Sequence, residues 1–149
     1  MKVALGSDHG GYKLKSLLID HLKKKGHSPI DVGCFCSDGC DYPEFGWRVA
    51  DLVSKKIVAK GILVCKSGIG YSLVANKAKG IRAALCQNIT QAKSSREHND
   101  ANVLVLGALY VNSSMAKRMV STWLKTKALG GRHARRVNQI KRMESKLFR

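Results

Sequence analysis

The chain has 149 residues, 44% of them hydrophobic, and 27 lysines and arginines against 10 acidic residues give it a formal charge of +17. That length suits one domain with a real core, so residues 1–149 read as a single domain. No apolar run approaches the roughly 18 residues that a membrane span needs, so no membrane partner is expected. The start, MKVALGSDHGG, meets Asp8 after only a few apolar residues, so no secretory leader is expected. Five cysteines, an odd number, argue against a complete disulfide framework and point to a reducing, cytoplasmic setting. The positive excess attracts anions, although Lys13, Lys15, Lys23, Lys24, Lys25, Lys55 and Lys56 fall where helices are expected to face water.

In chain order, short apolar runs alternate with helical periodicity. Val3 to Gly6 is a predicted strand. After Gly10-Gly11, the residues Leu14, Leu17, Leu18, His21 and Leu22 mark one face of a helix from Tyr12 to Lys25, which Gly26 stops. Pro29 to Val32 is the second strand, and Gly33 to Tyr42 is a polar loop carrying Cys34, Cys36 and Cys40. Pro43 suits the first turn of a helix through Trp47, Val49, Ala50 and Val53. Gly61 to Cys65 is the third strand, Gly70 to Ala78 a short helix, and Ile81 to Leu85 the fourth strand. Ile89 to Arg96 is helical, Val103 to Leu106 is the fifth strand, and Ser113 to Lys125 is again helical. Gly130-Gly131 precedes a last basic helix from about His133. Such alternation predicts a doubly wound parallel sheet with helices on both faces.

The third strand ends in Cys65 and passes straight into Lys66-Ser67-Gly68-Ile69-Gly70. Ligands of open α/β sheets bind at the carboxyl ends of strands. The backbone N–H groups of residues 67 to 70 stand at a predicted helix start, where they can hold an anion and lower the thiol's pKa. Gly68-Ile69-Gly70 is only part of a dinucleotide fingerprint, because Leu73 stands where the third glycine belongs. Cys65-Lys66-Ser67 is not a Walker loop. Cys34, Cys36 and Cys40 match no standard zinc spacing and read as ordinary thiols. The turns Asp8 to Gly11, Cys65 to Gly70, Arg96 to Asp100 and Gly131 to Arg136 are expected to converge at the carboxyl edge of one sheet. Each has a plainer reading: Asp8 as a helix cap, His9 and His98 as surface histidines, Arg132 and Arg136 as a solvated helical face.

These segments also carry a resemblance. Gly6-Ser7-Asp8-His9-Gly10-Gly11, Cys65 with Ser67-Gly68-Ile69-Gly70, and Ala75-Asn76-Lys77 with Gly80-Ile81-Arg82-Ala83 are similar to the ribose-5-phosphate isomerase B family. So are Arg96 with His98-Asn99-Asp100, and Gly130-Gly131-Arg132-His133 with Arg136. That group includes galactose- and allose-6-phosphate isomerases. The resemblance spans nearly the whole chain. It implies a Rossmann-like three-layer α/β/α sandwich, with five parallel strands in the order 2-1-3-5-4. It also implies a homodimer, in some members paired into a tetramer, with neither metal nor nucleotide cofactor.

The implied reaction interconverts ribose 5-phosphate and ribulose 5-phosphate through an enediolate, in the non-oxidative pentose phosphate pathway. By resemblance, Cys65 is the proton acceptor, Ser67 relays a proton between O1 and O2, and His98 opens the sugar ring. Asp8 binds sugar hydroxyls. Lys66, Ser67, Gly68, Ile69, Gly70 and Asn99 fall in substrate-binding segments, and His9, Arg132 and Arg136 match phosphate contacts. His98 and the arginines would come from the partner subunit, giving composite sites. Two positions depart from the pattern: Lys66 stands where relatives usually carry glycine, and Leu109 where many carry a phosphate-binding arginine. A hexose-6-phosphate isomerase is the runner-up. A nucleic-acid-binding protein on this scaffold is a further alternative, but no recognition helix, zinc finger or aromatic RNA motif supports it.

Overall fold

The computed structural model describes residues 1–35 and 37–148. Five parallel strands form one sheet in the order β2-β1-β3-β5-β4, as the resemblance implies. They are β1 (Lys2–Ser7), β2 (Ser28–Asp31), β3 (Lys60–Cys65), β4 (Ala83–Leu85) and β5 (Val103–Gly107). Six helices cover it: α1 (Tyr12–Lys24), α2 (Tyr42–Ser54), α3 (Ile69–Ala75), α4 (Ile89–Asn99), α5 (Ser113–Lys125) and α6 (Gly131–Leu147).

Alternation along each strand sorts the core into two halves. Val3, Leu5, Ile62, Val64, Leu104 and Leu106 pack against α1, α4 and α5 through Leu14, Leu18, Ala92, Met119 and Trp123. Ala4, Leu63, Cys65, Val103 and Val105 face α2 and α3 through Val49, Ala50, Val53, Tyr71 and Ala75. Both faces of the central strands are therefore buried, which is why they read as continuous apolar runs.

The strand order decides where the site lies. The chain leaves β1 towards β2 on one side and leaves β3 towards β4 on the other, although β1 and β3 are neighbours, paired at Leu5↔Ile62 and Ser7↔Val64. The two connections part there, at the carboxyl ends of β1 and β3, which is the switch point where doubly wound sheets bind their ligands. Gly11 lets the turn after β1 lie against β3, because a Cβ there would stand 2.0 Å from the Val64 carbonyl oxygen.

Several boundaries differ from the sequence reading. α3 stops at Ala75, three residues early. Asn76 ends it, donating to the Ser72 and Ala83 carbonyls while its own side-chain oxygen accepts from the Ala83 N–H. β4 is only three residues long and starts at Ala83, because the Arg82 N–H is taken by the Asn102 side chain. α4 continues to Asn99, so His98 and Asn99 are helical. Lys15, expected in water, is fully buried: its Nζ reaches Asp31 at 2.5 Å and the Cys34 carbonyl at 2.6 Å, pinning the loop after β2. Cys36 lies outside the described residues.

Candidate active site

Cys65 ends β3 with its side chain on the α2–α3 face, 5% exposed. Its Sγ accepts a hydrogen bond from the Gly68 N–H at 3.0 Å. That geometry depends on Gly68, which caps α3 at φ +83°, where a side chain would be strained and would strike Leu85. The loop was expected to lower the thiol's pKa, and the outcome is the reverse. Burial pushes Cys65 above its ordinary value and the charge of Asp8 adds to this, outweighing the N–H groups of Gly68, Ser67 and Tyr71 that oppose it. Lys66 is exposed.

Asp8, at the end of β1, is 8% exposed and accepts from the Gly11 N–H at 2.9 Å. That bond closes the turn before α1 and caps no N–H of the helix itself, whose N-cap is Gly11, so the helix-cap reading of Asp8 is corrected. His9 beside it is exposed, and its backbone N–H reaches the Cys40 thiol. Burial and the neighbouring Cys34 thiol push Cys40 up to about 11. Not every N–H of the 67–70 loop is open to a ligand: Gly68 donates to the thiol, and Ile69 donates to the Ser67 hydroxyl at 3.3 Å.

Tyr71 was missed as a site residue. It is fully buried, and its hydroxyl has no hydrogen-bond partner among the described residues. Burial first, then the charges of Asp8 and Cys65, raise its pKa, so it stays a neutral phenol against the same two groups. The ring of Tyr42 packs edge-on against it at 5.8 Å and lies over Gly70. A tyrosine opening a helix reads as core, and only its neighbours mark it otherwise.

His98, Asn99, Arg132 and Arg136 do not join this cluster. α4 starts at the carboxyl edge after β4 and runs back, so its last turn, with His98 and Asn99, lies at the amino edge of the sheet. α5 runs back likewise, and the Leu129 N–H donates to the Glu97 carbonyl at 2.9 Å, which brings the start of α6 beside α4. His98 stacks on His133 at 4.3 Å with the rings 8° apart. His133 is held below its usual value by desolvation and then by the charges of His98, Arg132 and Arg136. Arg132 and Arg136 are both exposed. The expected convergence at one edge is thus corrected: the sequence order helix-then-strand puts residues 96–100 at the opposite end from Cys65. Among the described residues no hydrogen bond, ion pair or ring contact joins the two groups.

An ionic knot steadies the amino-edge group. Asp100 adopts a left-handed conformation, φ +46°. Its carboxylate takes Arg96 at 2.7 Å and Arg82 at 3.0 Å. Arg96, 7% exposed, also donates to the Ala101 and Thr126 carbonyls, and Arg82 donates to those of Asn99 and Asp100. Burial works to raise the pKa of Asp100, but the Arg96 hydrogen bond and the charges of Arg96, Arg82 and Lys60 hold it below its ordinary value. Lys60 lies over the Trp123 ring, and burial together with Arg96 brings it down to about 8.

A doubly wound sheet with a thiol, a carboxylate and a phenol at its switch point, and an exposed histidine–arginine group at the other edge, fits an isomerase of phosphorylated sugars. Residues 3–140 match the family described as Ribose/Galactose Isomerase, and the chain belongs to it. It is 42% identical to ribose-5-phosphate isomerase B of Escherichia coli over 145 residues, 97% of each chain. It superposes on ribose-5-phosphate isomerase B of Clostridium thermocellum with a TM-score of 0.96, at 49% identity and 99% coverage of both chains. The Mycoplasma genitalium ribose-5-phosphate isomerase B with bound ribulose-5-phosphate gives a TM-score of 0.93 at 40% identity, covering 97% of this chain and 96% of that one.

Proposed function

We propose that this chain interconverts ribose 5-phosphate and ribulose 5-phosphate, with each site built from two copies. The observation that carries the reading is the buried Cys65 thiol, held by the Gly68 N–H at the β1–β3 switch point near Asp8. As thiolate, Cys65 takes the C2 proton of the open-chain aldose and returns it to C1 of the enediolate. Its raised pKa suits it to hold that proton as the thiol between the two transfers. Ser67 moves the hydroxyl proton between O1 and O2, while the Gly70 N–H, which the loop's own hydrogen bonds leave open, is available to the developing oxyanion. One such donor is worth about 3–4 kcal/mol where measured. Asp8 keeps an oxygen for sugar hydroxyls, and His9 lies at the phosphate end.

His98 opens the sugar ring, Asn99 contacts the sugar, and Arg132 and Arg136 clamp the phosphate, all from the partner subunit. The placement of these residues supports this. A strand of six residues at about 3.3 Å each puts roughly 17 Å between the two edges, too far for one sugar phosphate to span. A second copy related by a two-fold axis offers its amino-edge group to the first and receives the reverse. The β4 edge and α6 leave an apolar groove of about 550 Å³ lined by Ile81, Ala84, Ile140, Met143 and Leu147, a surface suited to such contact. No helix among the described residues is long and apolar enough to cross a membrane, in keeping with work in the cytoplasm.

A coupled assay on metal-free protein tests the reading, with ribose 5-phosphate, allose 6-phosphate and galactose 6-phosphate compared by kcat/KM. Preference for the pentose supports it. Preference for a hexose transfers the site to the sister activity within the family.

A further inference from the structure

Where α1 and α5 run side by side, the surface carries a second concentration of positive charge, made from none of the residues used above. Two adjoining cavities of about 210 and 390 Å³ share His21, Lys25 and Ser121 as a common wall. His27 and Lys125 stand at one end, Lys117 and Arg118 at the other. Neither lining contains a carboxylate. Elsewhere on the surface some lysines do have an acidic partner one turn away, as in Lys55–Asp51 and Lys93–Glu97. Among the described residues, Lys25, Lys117, Arg118 and Lys125 have no ion pair at all.

Two imidazoles lie in the same walls. His21 bonds the Ser121 hydroxyl through Nε2 at 2.8 Å. Burial, then the charges of Lys25 and Lys117, hold it below its usual value. Burial and the positive N-terminus do the same to His27, whose Nδ1 is buried with no hydrogen-bond partner among the described residues. The walls therefore offer permanent cations, hydroxyls and ring nitrogens, with no anion to meet them.

We propose that this groove binds a linear polyphosphate, a short run of linked phosphate groups such as tripolyphosphate or the tail of a nucleoside triphosphate. Four permanent cations spread along two joined cavities match three or four consecutive negative charges. A single phosphate would engage only one end. Arg118 can take phosphate oxygens as a fork, with the Ser121 and Thr122 hydroxyls as neutral donors beside it.

Calorimetric titration of the intact protein with tripolyphosphate tests this, in about 150 mM salt, where the Debye length of about 8 Å suppresses long-range attraction. Saturating ribose 5-phosphate keeps the sugar site filled. Two double variants carry the same change in charge: Lys25→Glu with Lys117→Glu in the groove, and Lys56→Glu with Lys77→Glu on the α2–α3 side. The groove pair should weaken binding at least about tenfold, and the remote pair less than about twofold. Arg118→Gln with Lys125→Gln, a milder groove pair, should weaken it as well and covers any loss of folding in the first. Equal weakening by groove and remote pairs would mean general attraction to a +17 protein and would overturn the site. Orthophosphate binding as tightly as tripolyphosphate would overturn the ligand class. ATP competing with tripolyphosphate assigns a nucleotide, whereas failure of ATP to compete assigns an inorganic chain.

Discussion

At the carboxyl edge of the sheet the reactive groups are buried and held by backbone, whereas at the amino edge they are exposed side chains at helix ends. Cys65 and Asp8 are each less than a tenth exposed and anchored by the N–H groups of Gly68 and Gly11. Arg132 and Arg136 are exposed, and what steadies their neighbourhood is the Arg82–Asp100–Arg96 knot. The division follows the chemistry. Moving a proton off carbon needs a dry, fixed base, and burial supplies both at the cost of a higher thiol pKa. Capturing a dianion needs cations that meet it in solvent. The two halves stand a strand length apart, and the proposed site would need a second copy to bring them together.

The sharpest way to break this contrast is to empty the carboxyl edge. Cys65→Ala should lower kcat by about 10²–10⁴-fold with the fold intact, the usual worth of a general base. A variant keeping a tenth of wild-type kcat would remove the thiol from the mechanism. Next comes the pairing of edges. Cys65→Ala and His98→Asn homodimers should each be nearly inactive, while a mixed and refolded heterodimer recovers up to one intact site. No recovery in a verified heterodimer would place each site within one chain.

A smaller effect is expected from the amino edge alone. Arg132→Ala or Arg136→Ala should raise KM about 10- to 100-fold and change kcat much less, as befits charge-assisted bonds remote from the reacting carbons. A fall in kcat at unchanged KM would give these arginines a different role. The pH profile bears on the buried edge. Because the thiol is raised, kcat/KM of the free enzyme should climb with pH through neutrality and continue beyond the ordinary thiol range, by at most about tenfold per unit. A profile already flat at pH 7 would mean a thiolate stabilised by something the free chain lacks.

The smallest effect concerns Leu109, 62% exposed just past β5, its N–H on the Lys66 carbonyl at 3.1 Å. Leu109→Arg should lower KM for ribose 5-phosphate by about 1–2 kcal/mol with little change in kcat. An unchanged KM in a well-folded variant would show that this position faces away from the phosphate.

Most elements could be placed from the sequence, because apolar runs and helical periodicity report burial directly. Glycines and Pro43 marked many of the ends. Where tertiary contacts set the ends, the pattern failed. Asn76 closed α3 early with its own side chain, and α4 ran on through a polar stretch to Asn99 because Arg96 ties its last turn to Asp100. Lys15 looked like a surface charge, since nothing local shows that Asp31 and the Cys34 carbonyl would meet it inside.

The sequence by itself determined the alternating α/β plan, the cysteine at the end of β3, the glycine loop after it and the family likeness, because each is written in neighbouring residues. Tertiary structure alone decided three further matters. It set the direction of the Cys65 shift, since burial against α2 and α3 outweighs three N–H groups. It gave Tyr71 its place facing Cys65 and Asp8. And it separated His98 from Cys65, because a helix that returns across a parallel sheet carries its last turn to the opposite edge.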